Sequence, residues 1–179
     1  MPTDPGYEGS NGIIKDGNKT YTLNDIRKYT LWGNLMAGGA GVDYYFGYKE
    51  PQSDLNCNDF RSRALSWRYA NIALNFFQDQ HIPFWQMNNT DALVGNSAND
   101  NSKYCFSQAG QIYVVYLPNG GSTTLDLSND KKSYSVRWFN PREGGALSTG
   151  SVKNVAGGSV VSLGNPPQDD GSDWIVVVR

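Results

Sequence analysis

The spacing of apolar and polar positions divides the chain into two halves of different period. In two segments of the first half, from Thr22 to Met36 and from Phe60 to Phe77, apolar side chains recur at three- and four-residue intervals, as on one face of a helix. From Tyr104 to Val178 they come in short runs bounded by Gly, Asn and Asp, as in strands joined by tight turns. Thr22-Leu23-Asn24-Asp25 reads as a helix start. Thr22 can accept from the backbone N–H three residues on, and Asp25 suits the first turn. Ile26, Tyr29 or Thr30, Gly33 and Met36 form the stripe of this helix, with Arg27, Lys28 and Asn34 off it, and Gly38-Gly39 offers a left-handed cap. Residues 1–21 lack periodicity and read as loop. Val42–Tyr48, large apolar residues bounded by glycines, predicts a strand buried on both faces, as in a parallel sheet. A second helix is expected from near Asp59 to just before Pro83, because the residue preceding proline avoids the helical region. Phe60, Ala64, Trp67, Ala70, Leu74 and Phe77 make its stripe, with Arg61, Arg63 and Arg68 facing water.

In the second half the strands are expected at Lys103–Ser107, Gln111–Leu117, Thr123–Leu127, Tyr134–Phe139, Ser151–Val155, Ser159–Leu163 and Trp174–Val178. Asn119-Gly120-Gly121 carries the strongest short hairpin signal, and Tyr134 to Trp138 alternates apolar with polar as a half-buried strand does. Short strands at this density describe a small antiparallel sandwich. The boundary falls near residue 88.

Composition narrows the function classes. Only 39% of residues are hydrophobic, but 5 Trp and 11 Tyr supply large buried areas. The net charge is −2, spread evenly along the chain, and no basic cluster suits phosphate neutralisation, so nucleic acid is not an expected partner. No apolar run is long enough to span a membrane, and Met1-Pro2-Thr3-Asp4 does not read as a signal peptide. Cys57 and Cys105 make no disulfide framework, and whether they pair stays open. With His81 the single histidine, no site of cysteine–histidine type is expected, and neither a metal nor a cofactor is expected.

The candidate chemistry follows from what is left. A nucleophilic triad would need His81, which at a helix exit reads better as structural or solvent-facing. Gly38-Gly39-Ala40-Gly41 precedes a strand, whereas a phosphate loop follows one. Carboxylates suited to glycoside hydrolysis are Asp4, Glu8, Asp16, Asp43, Glu50 and Asp54. Asp43, inside an apolar run, must be paired, hydrogen-bonded or shifted in pKa. Tyr44, Tyr45, Tyr48, Trp85, Trp138 and Trp174 could stack on sugar rings or fill the core. Trp138 and Arg142 could form a stacked, hydrogen-bonding pair, or simply flank a turn at Asn140-Pro141.

Leu31 to Tyr48 resembles the last helix–strand passage of bacterial glycoside-hydrolase-like barrels, in which a small collagen-binding-type β-sandwich follows. Asp59-Phe60-Arg61-Ser62-Arg63, Ile82-Pro83-Phe84-Trp85-Gln86-Met87, Tyr113 to Pro118, Trp138 to Arg142 and Asp173 to Val178 continue the resemblance in the same order. It implies an α+β chain: a helical remnant of a (β/α) barrel over residues 1–87, then an antiparallel β-sandwich over 88–179. It places a catalytic carboxylate shortly before the loop at residues 5–20, where Asp4 is the first candidate and Glu8 the second. The other carboxylate of the pair belongs on an earlier strand, so the chain alone is expected to be inactive. Asp43, Tyr45, Tyr48, Trp138 and Arg142 are the expected ligand contacts.

The role implied is the C-terminal portion of a glycoside-hydrolase-like protein, with the sandwich as support or glycan-binding domain. A self-standing binding module for collagen or another extracellular ligand is one alternative. A hydrolase active only as an assembly, or with its upstream barrel, is the other. Carbohydrate or extracellular matrix, and an upstream barrel or further copies of the chain, are the expected partners. The location implied is secreted or cell-surface, as part of a longer protein.

Overall fold

A computed structural model describes residues 13–16, 19–43 and 64–179. Its largest feature is a six-stranded antiparallel sheet in the order β3-β4-β5-β10-β7-β8. The strands are β3 (Asn88–Asn89), β4 (Tyr104–Gln108), β5 (Ile112–Leu117), β7 (Ser133–Phe139), β8 (Asn154–Ala156) and β10 (Trp174–Val178). A smaller sheet pairs β6 (Thr124–Asp126) with β9 (Val160–Ser162). Each strand expected after residue 100 forms within two or three residues of its predicted bounds. The chain's last strand, β10, inserts between β5 and β7 and pairs with both.

Antiparallel sheets commonly keep one face wet. Here both faces of the central strands are buried. Ile112, Val114 and Tyr116 of β5, with Ile175 and Val177 of β10, point to one side, where Leu31, Trp32, Met36, Ile72, Ala73 and Phe76 cover them. Tyr113, Val115 and Leu117, with Trp174, Val176 and Val178, point to the other, against Leu125, Leu127 and Leu163 around the small sheet. Period-two alternation is therefore present in β5 and β10 but invisible in their sequences, since both alternating sets are apolar.

Two short strands pair antiparallel, β1 (Ile13–Asp16) with β2 (Lys19–Thr22), where a loop was expected. Only Gly17 and Asn18 separate the strands in sequence, and Asp-Gly-Asn is a hairpin signal that a search for periodicity passes over. Thr22 then caps α1 (Leu23–Asp25) in a reciprocal box: Asp25 N–H donates to Thr22 Oγ1 at 3.2 Å and Thr22 N–H donates to Asp25 Oδ2 at 2.8 Å.

The helix continues as a seven-residue π-helix, Ile26–Trp32, before returning to α in α2 (Gly33–Met36). Hydrogen bonds from i to i+5 widen the turn, and the buried positions are Ile26, Arg27, Leu31, Trp32, Gly33 and Met36. Ile26, Gly33 and Met36 of the expected stripe are buried, Leu31 and Trp32 join them, and Arg27, expected off the stripe, lies in the core. The end falls where expected. Gly38 is left-handed at φ 87°, and Gly39 N–H donates to Asn34 O at 2.9 Å.

Two further expectations are corrected. Gly41–Asp43 has no regular structure, and Asp43 is exposed rather than enclosed in a strand. The Asn34 side chain holds this segment against the helix end by donating to Gly41 O at 2.6 Å. The rest of the expected strand, Tyr44 to Tyr48, lies outside the described residues, as does Phe60. In α3 (Ala64–Asp79) the buried face is Ser66, Ile72, Ala73 and Phe76, with Tyr69 and Phe77 half-buried. Trp67 and Leu74, placed in the core by the stripe reading, are 46% and 56% exposed. The helix carries two apolar stripes, and the one with small Ala73 beside Phe76 seats closest on the sheet: Phe76 lies 4.7 Å from Phe139 between ring centroids.

His81 ends α3 in the left-handed position usually given to glycine, at φ 53°, and is exposed. Arg179 Nη1 reaches back to the same helix end, donating to Gln80 O at 2.8 Å.

Candidate functional site

The joint between the helices and the sheet holds the most demanding chemistry in the described residues. Trp32 is fully buried there, with ring centroids 5.7 Å from Phe76, 6.0 Å from Tyr116 and 6.4 Å from Phe139. Beside this aromatic cluster lies a charged one. Arg27 donates from Nη1 to Asp173 Oδ2 at 2.5 Å and from Nη2 to Asp173 Oδ1 at 3.1 Å, a bidentate pair with both side chains buried. Tyr116 Oη donates to Asp173 Oδ2 at 3.0 Å. Arg142 Nη1 donates to the Asp173 backbone oxygen and lies 3.3 Å from its Oδ1. One carboxylate thus faces two guanidiniums and a phenol.

Each member is placed by a local feature. The π-helix turns Arg27 inward, five residues before Trp32. Asp173 precedes β10, the central strand, so its backbone is fixed by the sheet. Arg142 comes from the turn after β7, where Asn140 Oδ1 accepts from Arg142 N–H at 3.0 Å, an Asx-turn. Rings cover both cations: Arg27 lies 5.0 Å over Tyr69 and Arg142 5.2 Å over Trp174. Burial, followed by the Asp173 charge, pushes the Tyr116 phenol well above its usual value. Among the described residues, this cluster pairs protein groups with one another.

Of the expected contact residues, Asp43, Trp138 and Arg142 lie among the described ones. Trp138 is fully buried on the far face of the sheet, edge-on to Trp174 at 6.3 Å, while Arg142 stacks on Trp174 instead of Trp138. Asp43 is exposed on an irregular segment. Asp4, Glu8, Tyr45 and Tyr48 lie outside the described residues. Arg27 and Asp173 carry the joint without having been singled out. The signals were an acid set directly before five apolar residues and a basic residue five before a tryptophan.

Beside the joint, a groove of about 350 Å³ opens between α3 and the turn after β7, lined by Asn71, Asn75, Asp79 and Gly144. The exposed pair Arg68 and Glu143 spans it. Cys105 is fully buried, and burial pushes its thiol up to about 12; Cys57 lies outside the described residues.

Several protonated groups are held by the fold itself. Burial pushes Tyr104 and Tyr113 up to about 12, and Tyr113 also donates to Asp130 Oδ2 at 2.5 Å. A folded-state pKa above the unfolded one stabilises below the unfolded value and loses that contribution as pH rises through the folded value. Stability should therefore hold to about pH 8, where unfolded cysteine begins to ionise, and fall from there to about pH 12. Thermal melts across that range check it, and Tyr104→Phe should flatten the fall.

Comparison with known proteins gives the affiliation. The family described as "Putative collagen-binding domain of a collagenase" matches residues 90–179, half of the chain. The chain belongs to this family. Its fold resembles two solved structures. A glycoside hydrolase family 5 from Bacteroides vulgatus superposes with TM-score 0.67 at 14% identity, over 93% of this chain and 38% of that one. A second glycoside hydrolase gives 0.61 at 15%, over 93% and 39%. At these identities the likeness is one of fold. The chain spans about two fifths of the length of either. No curated protein matches it significantly. In this member of the family the helix-facing side of the central strands β5 and β10 is covered by the helices.

Proposed function

We propose that this chain is the C-terminal portion of a glycoside-hydrolase-like protein, in which the sheet domain over residues 88–179 supports the last helices of a barrel over residues 1–87. The observation that carries the reading is the joint. The helix-facing side of strands β4, β5 and β10 is spent on burying Leu31, Trp32, Met36, Ile72 and Phe76. A bidentate ion pair with both partners buried fixes their position. A self-standing binding module has no use for such a face. The extended likeness to glycoside hydrolases, which takes in the helices as well as the sheet, supports the same reading.

In this role the chain works outside the cell, alongside polysaccharide or matrix. Chemistry belongs to the longer protein, with Asp4, or Glu8 after it, as the carboxylate this portion would supply. The reading frame upstream of Met1 tests the proposal. Further strand–helix units continuing in frame are the expected result, and turnover of aryl glycosides by the longer protein, lost in Asp4→Asn, would then place the acid. An in-frame stop directly upstream overturns it.

A further inference from the structure

Away from the joint, the most exposed large hydrophobic side chain among the described residues is Trp85, at 81%. It stands on a 3₁₀ turn, Phe84–Gln86, whose backbone is fixed: Phe84 N–H donates to Ile82 O at 2.8 Å, Gln86 N–H to Pro83 O at 2.8 Å and Met87 N–H to Phe84 O at 3.1 Å. The preceding ring anchors the turn from below, with Phe84 5.4 Å from Phe77 and 4.9 Å from Phe106 between centroids. The indole is therefore displayed on a rigid base. Little conformational entropy remains to be lost when something covers it.

The chemistry around it is amide rather than charge. From Gln80 to Thr90 the sequence has no Lys, Arg, Asp or Glu. Gln108 Nε2, at the end of β4, donates to Gln86 Oε1 at 2.9 Å. That bond orders both side chains, and it leaves the Gln86 NH₂ as donor and the Gln108 carbonyl as acceptor. Asn88 is exposed alongside. A flat apolar ring flanked by a fixed donor and a fixed acceptor suits a ligand with an apolar face and hydroxyl edges.

We propose that Trp85, with Gln86 and Gln108, binds a neutral saccharide: the indole stacks on the apolar face of a pyranose ring, and the two amides take its hydroxyls. The stretch from Gln80 to Thr90 itself carries no charged side chain to pair with a charged polymer. An apolar protein surface would leave the amides without partners. The site lies apart from the joint and stands whether or not the sheet supports a barrel.

Affinity electrophoresis of the full chain tests it, in native gels holding arabinoxylan, mixed-linkage β-glucan, galactomannan or soluble starch. At least one should retard the chain. Trp85→Ala should weaken that retardation at least about tenfold, with Trp85→Tyr keeping part of it and Gln86→Ala losing part. An unchanged thermal midpoint shows that the variants fold. No retardation in any of the four gels, or equal retardation of Trp85→Ala, overturns the proposal. So does collagen binding that disappears in Trp85→Ala, which would assign the indole to a protein partner.

Discussion

Asp173→Ala should destabilise the chain by about 3–5 kcal/mol, the usual cost of removing one partner of a buried ion pair. The residue sits fully buried between Arg27 and Arg142. Without it, Arg142 can turn toward water, since its side chain is already 20% exposed. Arg27 cannot, because its side chain is 1% exposed. Its Nε already lacks an acceptor among the described residues, and the variant would strip Nη1 and Nη2 as well. Tyr116 would lose the acceptor for its hydroxyl in the same step. Domains of this size are stable by about 5–15 kcal/mol, so the variant should be marginal. Urea titration reads the loss as a lower midpoint at similar slope. The double variant Arg27→Met with Asp173→Leu should recover much of it, because well-packed apolar residues replace a buried pair at little cost.

Trp32→Ala should cost about as much, 3–5 kcal/mol, by a different route. The ring fills the space between α3 and the sheet, and it touches aromatic residues from both: Phe76 and Phe77 on one side, Tyr116 and Phe139 on the other. Truncation leaves a cavity that these rings cannot close, since the sheet face is rigid. Trp32→Phe should be much milder. It keeps an aromatic in the cluster and removes an indole N–H that has no acceptor among the described residues. The ratio of the two losses, measured by the same titration, separates cavity from hydrogen bonding.

The sheet was legible in the sequence and the helices less so. Glycine and asparagine turns punctuate the second half, and each strand expected between them forms. Trp174–Val178 matches its expected bounds at both ends. In the first half, stripe counting presumed 3.6 residues per turn. The π-helix at Ile26–Trp32 broke that assumption and carried Arg27 into the core. In α3 two apolar stripes were available, and only packing against Phe139 chooses between them. Asp173 was hidden for a related reason. A charge beside an apolar strand reads as a strand end until its partner, 146 residues away, is known. Trp85, by contrast, was in view from the start as an aromatic, and the structure adds its exposure and its amide neighbours.

The central claim is that helices and sheet form one body fixed at the Arg27–Asp173 joint. Native-state hydrogen exchange of the full chain tests it most directly. The amides of Trp32, Met36, Ala73 and Phe76 should exchange only through global unfolding, with the same free energy as those of Val115 and Val176, and Asp173→Ala should lower all of them together. If the helical amides open at lower free energy while the sheet stays protected, the sheet does not hold the helices and the account is wrong.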